Sequence, residues 1–253
     1  MNKLGFYIEN TTVQFLRDAL TKVQPPVILI HAADRGLLRE IRNTLSPDAF
    51  VIGRLFIDLP QQQGMLTGGN PEGEGRAFAE RIINFDFGLA KEKGNNGRLL
   101  IDAWMSLNEP VPGPAAFVDW KPDADTLARY DALDRLQAAF LERLRADGLE
   151  GVAFNFAAGN FVAKDHVVNH FPRSLAAYTY LGFHEYGWPT LMPRADTSTA
   201  ALFYRALMEG VRAKHGARHK VVITEAGLAR MYRHPNDPAG DVGWLYPGEP
   251  ISE

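Results

Sequence analysis

Seven short apolar runs recur along the chain, and most of them end on a polar residue. They are Leu4–Glu9, Val27–His31, Ala49–Ile57, Leu99–Pro110, Gly151–Phe156, Tyr180–Tyr186 and Val221–Thr224, the last followed at once by Glu225. Their length and β-branched and aromatic content predict strands, and their near-continuous apolarity predicts burial on both faces. Between them the period changes to that of a helix. Thr11 and Thr12 precede Val13–Val23, and Pro25-Pro26 ends that segment. Asp34 stands as a cap before Leu37, Leu38, Ile41 and Leu45, spaced for one helical face. Gln-, Gly- and Pro-rich sequence from Asp58 to about Gly73 predicts a loop, followed by a long helix to about Lys93. Asp125 is the expected cap of an amphipathic helix bearing Leu127, Tyr130, Leu133, Leu136, Phe140 and Leu144, closed by Gly148. Further helices are expected within Asp165–Tyr178 and from Ser198 or Thr199 to about His215.

Strand and helix therefore alternate, which predicts a parallel sheet covered by helices in one α/β domain over residues 1–253. No Gly-rich phosphate loop follows the first strand; Glu9-Asn10-Thr11 stands there instead. Polar residues at the ends of many different strands fit a TIM (β/α)8 barrel, where the active site collects at the C-terminal mouth. These residues are His31, Arg54, Asn108 with Glu109, Asn155, His184 with Tyr186, and Glu225. The expected barrel is truncated after strand 7. Arg230–Glu253 is rich in Pro, Gly and charge and offers neither the eighth strand nor its helices.

Composition narrows the partners. With 46% apolar and 23% charged residues the chain is of ordinary globular character. Its net charge of −3 gives no general attraction to nucleic acid or to an anionic membrane. No apolar run is long enough to span a bilayer. The absence of Cys removes disulfide and thiolate chemistry. Localisation is unknown; Met1–Ile8 lacks the pattern of a signal peptide, so a cytoplasmic site is the default expectation.

The candidate chemistry rests on two carboxyls. Glu109 and Glu225 are far apart in sequence, yet a parallel barrel brings both strand ends to one mouth. Paired carboxyls there are the equipment of glycoside hydrolysis, one as acid and then base, the other attacking the anomeric carbon or activating water. The neighbouring negative charge is expected to raise the Glu109 pKa. Arg54, among apolar residues, needs a partner, either a carboxylate at the mouth or a structural ion pair. His31 and Asn155 are further candidates for contact with substrate. Glu185 alternates with His184 and Tyr186 and so should face away from the mouth. Trp104, Trp120, Trp188 and Trp244, with Phe117 and Tyr246, lie near strand ends, and Trp188 is the foremost candidate for stacking on a sugar. His166 and His170 are four apart but lack the Glu of a zinc-protease motif, so neither a metal nor any other cofactor is expected. Asp58 and Asp102 have no assigned role.

Asn108-Glu109-Pro110 on strand four resembles the Asn-Glu-Pro signature of clan A of the glycoside hydrolases. Ile223-Thr-Glu225-Ala-Gly227 is similar to their nucleophile strand, and Gly182-Phe-His184-Glu-Tyr186 to their sixth strand. The resemblance implies a retaining β-glycosidase with Glu109 as acid/base and Glu225 as nucleophile. It further implies Asn108 as a donor to the sugar 2-hydroxyl and Tyr186 as a partner of the nucleophile. The partner is then a carbohydrate, with the oligomeric state unknown. Two alternatives stand beside this reading: a non-catalytic or inactive barrel that binds carbohydrate, and a different barrel enzyme such as a metal-free lyase or aldolase. An aldolase needs a lysine at a strand end, and none is present; Lys220 begins its strand at the opposite end.

Overall fold

The seven runs pair in chain order. A computed structural model describes residues 5–9, 11–12, 15–32, 34–111, 121–161, 163–187, 202 and 204–228. Its strands are β1 (Phe6–Ile8), β2 (Val27–His31), β3 (Phe50–Arg54), β4 (Ala103–Met105), β5 (Gly151–Phe156), β6 (Tyr180–Gly187) and β7 (Lys220–Leu228). They form one sheet in the order β1 to β7, every neighbour parallel. The connecting helices are α1 (Leu16–Val23), α2 (Arg35–Glu40), α3 (Leu59–Thr67), α4 (Pro71–Asn84), α5 (Ala124–Ala146), α6 (His166–His170), α7 (Pro172–Ala177) and α8 (Tyr204–His215). Among the described residues no helix is long and apolar enough to cross a membrane.

The sheet curls into a barrel. In a flat sheet β3 and β7 would stand about 19 Å apart, four strand spacings. Instead the Arg54 guanidinium of β3 lies 2.8 Å from the Glu225 carboxylate of β7. The curl separates two apolar layers. Leu29, Ile52, Ala103, Met105 and Val152 pack with Val27, Phe50, Tyr180 and Val222 inside the barrel. A much larger cluster lies between the outer strand faces and the helices. Strand alternation makes His31 and Arg54 the next inward positions after Leu29 and Ile52, and the two pair in register. The sequence expectation of a barrel with seven strands is met. Among the described residues β1 and β7 each pair on one side only. Residues 230–253, in which the sequence offers no eighth strand, lie outside the described residues.

Three local expectations need correction. The segment from Asp58 to Gly73 is not simply loop: Asp58 accepts from the Gln61 amide at 2.8 Å and starts α3, with Pro60 in its first turn. The cap of α5 is Asp123, accepting from Thr126, rather than Asp125. The helix after Gly73 ends at Asn84 and passes into a tighter 3₁₀ segment (Phe85–Lys91), where Asp86, Phe87 and Gly88 turn left-handed. Asp102 acquires a structural role at the base of the sheet. Its carboxylate meets the fully buried Arg42 at 2.6 Å, the Val51 amide at 2.8 Å and Arg98 at 3.1 Å.

Candidate active site

Glu109 reaches the mouth on a clasped loop. Three residues past β4 the chain enters Asn108-Glu109-Pro110, and Glu109 adopts a left-handed φ of 47°. Such a conformation costs free energy in a non-glycine residue and persists only where neighbours over-determine it. Here they do. The Glu109 amide donates to the Asn155 carbonyl at 3.0 Å. On either side, the Asn108 amide donates to Gln62 Oε1 at 2.7 Å and Gln63 Nε2 donates to the Pro110 carbonyl at 2.9 Å. Both glutamines belong to α3, the helix that stands where the sequence predicts a loop.

Glu225 reaches the same mouth through a register shift. Val222 faces the barrel interior, so plain alternation would send Thr224 inward and Glu225 outward. The β6–β7 ladder slips between Phe183 and His184: Ile223 pairs with Phe183, but Glu225 pairs with His184. The extra residue is Thr224, and the bulge turns Glu225 onto the face of His184. There Oε1 accepts from Arg54 at 2.8 Å and Oε2 from the Tyr186 hydroxyl at 2.7 Å.

His184 links the two carboxyls. Its ring is buried, with Nδ1 2.8 Å from Glu109 Oε1 and 3.6 Å from Glu225 Oε2. One donor atom from each of Glu109, His184 and Glu225 lies within 4.8 Å of the others. An imidazole and two carboxylates could ligate a divalent cation. In this arrangement, however, Arg54 and Tyr186 occupy both oxygens of Glu225. The hydrogen bond from His184 holds the Glu109 carboxyl below its ordinary range, against partial burial that acts the other way. The neighbouring carboxylate therefore does not dominate, and the expected rise is replaced by a fall. Burial and the charge of Glu225 raise the Tyr186 phenol, so it stays a hydrogen-bond donor.

A chain of contacts continues from Glu225 toward β1. Arg54 also donates to the Tyr7 hydroxyl at 2.8 Å, and that hydroxyl lies 3.0 Å from His31 Nε2. Burial and Arg54 lower the His31 pKa, which favours a neutral imidazole. Tyr7 was missed in the sequence. Its signal was the strand register, because Tyr7 pairs with the inward Leu29.

Of the predicted site residues, Arg54, Glu109, His184, Tyr186 and Glu225 meet, with His31 joined through Tyr7. Asn108 adjoins them and is held by Gln62 through its backbone. Asn155 is not brought to the mouth. It is fully buried, donates to the Leu107 carbonyl at 3.2 Å, and packs where a Cβ at Gly182 would fall 2.1 Å from its Oδ1. It joins β5 to the β4 loop and cannot touch substrate there. Trp104 is core, fully buried beside Gly53. Trp188, Trp120, Trp244, Phe117 and Tyr246 lie outside the described residues. Glu185 faces outward as expected, where it accepts from the Leu202 amide ahead of α8.

No protein-family model and no curated protein matches the chain. Solved structures do. A GH26 β-mannanase from Bacteroides ovatus aligns over 87% of this chain and 67% of its own, at 15% identity and a TM-score of 0.55. A monomeric β-xylosidase from Caulobacter crescentus CB15 aligns over 89% and 52%, at 12% identity and a TM-score of 0.46. The chain thus spans about two-thirds of the mannanase and half of the xylosidase. The likeness to the mannanase establishes the fold, a TIM-like α/β barrel.

Proposed function

We propose that this chain is a glycoside hydrolase that cleaves β-glycosidic bonds of an oligo- or polysaccharide with retention, by double displacement. The supporting observation is the closeness of the two carboxyls. Oxygens of Glu109 and Glu225 lie within 4.8 Å, near the roughly 5 Å of retaining enzymes and short of the roughly 6.5 Å or more that admits a water between them. Glu225 attacks the anomeric carbon. Arg54 and Tyr186 donate to its two oxygens and hold the carboxylate in place until the bond forms. Glu109 gives its proton to the leaving oxygen and then, as a carboxylate, takes one from the incoming water.

The hydrogen bond from His184 suits the second step, because it favours the ionised Glu109. For the first step the carboxyl must carry a proton, so bond cleavage is expected to quicken toward acidic pH. The competing reading is a barrel that binds sugar without turnover, and the Arg54–Glu225 ion pair is the observation on its side. Glu225→Ala separates the two. Hydrolysis of an aryl β-glycoside should fall about a thousandfold or more, with the circular dichroism of the folded chain kept. Activity surviving that substitution would remove Glu225 as nucleophile.

A further inference from the structure

Building on the glycosidase reading, we propose that Phe56 and His31 form a stacking shelf for an additional pyranose unit of a β-linked oligosaccharide. This sugar lies beyond the one held between Glu109 and Glu225. Phe56 follows β3 at the barrel mouth and is 62% exposed. A lone exposed phenylalanine is ordinary on a protein surface. This one is fixed in place. Leu55 before it packs on the core, Ile57 after it is buried, and Asp58 then caps α3.

Its ring joins a row that leads to the catalytic carboxyls. Phe56 and His31 lie 6.4 Å apart between ring centres, tilted by 33°, and His31 and Tyr7 lie 5.9 Å apart. Tyr7 touches Arg54, which holds Glu225. An open aromatic face therefore stands two side chains from the group that binds the nucleophile. The apolar face of a pyranose, lined with C–H groups, would cover such a ring and remove its surface from water. With Nε2 bonded to the Tyr7 hydroxyl, a neutral His31 keeps its other ring nitrogen, Nδ1, for a sugar hydroxyl. The exposed Glu9 at the end of β1 is close enough for its charge to act on both His31 and Tyr7, adding an acceptor at the rim. An aromatic floor edged with groups that bond hydroxyls fits an uncharged sugar better than an anionic one, which Glu9 would repel.

The test uses β-1,4-linked tetrasaccharides of mannose, glucose and xylose as probes. Binding is measured by titration calorimetry on the wild-type chain, Phe56→Ala and Phe56→Trp. Hydrolysis of each tetrasaccharide is compared with that of an aryl monoglycoside. At least one tetrasaccharide should bind. Phe56→Ala should weaken it about tenfold and lower the preference for it over the monoglycoside by a similar factor, while Phe56→Trp restores both. The shelf is overturned if no tetrasaccharide binds the wild type, if Phe56→Ala binds unchanged, or if both substrates suffer equally. Tetrasaccharide binding that depends on Phe56 without any hydrolysis would end the glycosidase reading and keep the shelf. Hydrolysis with binding indifferent to Phe56 would do the reverse.

Discussion

Two arginine–carboxylate pairs of similar length sit at opposite ends of the barrel, and they do different work. At the base, Arg42 and Asp102 meet at 2.6 Å. Arg42 is fully buried and also donates to the carbonyls of Pro47 and Ala49, while Asp102 takes the Val51 amide and Arg98. Almost all their bonding capacity is spent on tying β3 to β4. At the mouth, Arg54 and Glu225 meet at 2.8 Å, each slightly exposed, with phenols as their only other bonded partners among the described residues. The bond length does not distinguish the pairs. What distinguishes them is what surrounds the carboxylate: backbone groups at the base, and at the mouth the His184 imidazole and a second carboxyl within reach.

The largest effect is expected from breaking the base. Asp102→Ala leaves the buried Arg42 without its counter-ion and should cost about 3 kcal/mol or more of stability. Urea unfolding would read that loss, and the activity per folded molecule should stay at the wild-type level. Glu225→Ala should do the opposite, keeping the fold and removing the chemistry. If Asp102→Ala were as stable as the wild type, the base pair would not be the tie described.

Glu185 sharpens the contrast as a third acid, one with no cation bonded to it among the described residues. It is almost fully buried on the outer face of β6, and burial raises its pKa from 4.5 to about 7, against hydrogen bonds from the Leu202 and Tyr204 amides. A carboxyl raised on folding stabilises most below its unfolded pKa. Stability should therefore decline between about pH 4.5 and pH 7, by about 3 kcal/mol at most. Glu185→Gln should flatten this decline in denaturation curves taken across that range. An unaltered slope would mean that Glu185 is not its source.

A smaller effect is expected at His184. Its hydrogen bond lowers the Glu109 pKa, so His184→Ala should raise it. The protonated acid then persists to higher pH, and the alkaline limb of kcat/KM should move upward. A limb that stays in place, or moves down, would separate Glu109 from His184.

The strand order and the polar strand ends were legible because the chain carries seven apolar runs, most of them with a polar residue at or near the end. Glu109, Arg54, His184, Tyr186 and Glu225 could be picked out for that reason. The helix α3 was not, because a buried Gln62 occupies a position on its inner face and three glycines lie in or just after it. The Asp58 cap followed by Pro60 was the available signal. The outward turn that alternation assigns to Glu225 is corrected by a bulge at Thr224, a backbone feature with no residue type of its own. Asn155 misled for the opposite reason. It sits at a strand end like the others, but it and its neighbour Phe154 both adopt left-handed φ, and its amide turns into the wall. The direction of the Glu109 pKa depended on a 2.8 Å contact with His184 that crosses from one strand end to another.

The most direct test of the central claim is the anomeric configuration of the sugar first released from an aryl β-glycoside, followed by proton NMR before mutarotation. Carboxyl oxygens within 4.8 Å predict that the β-anomer appears first. First release of the α-anomer would contradict the double displacement and the roles given to Glu109 and Glu225.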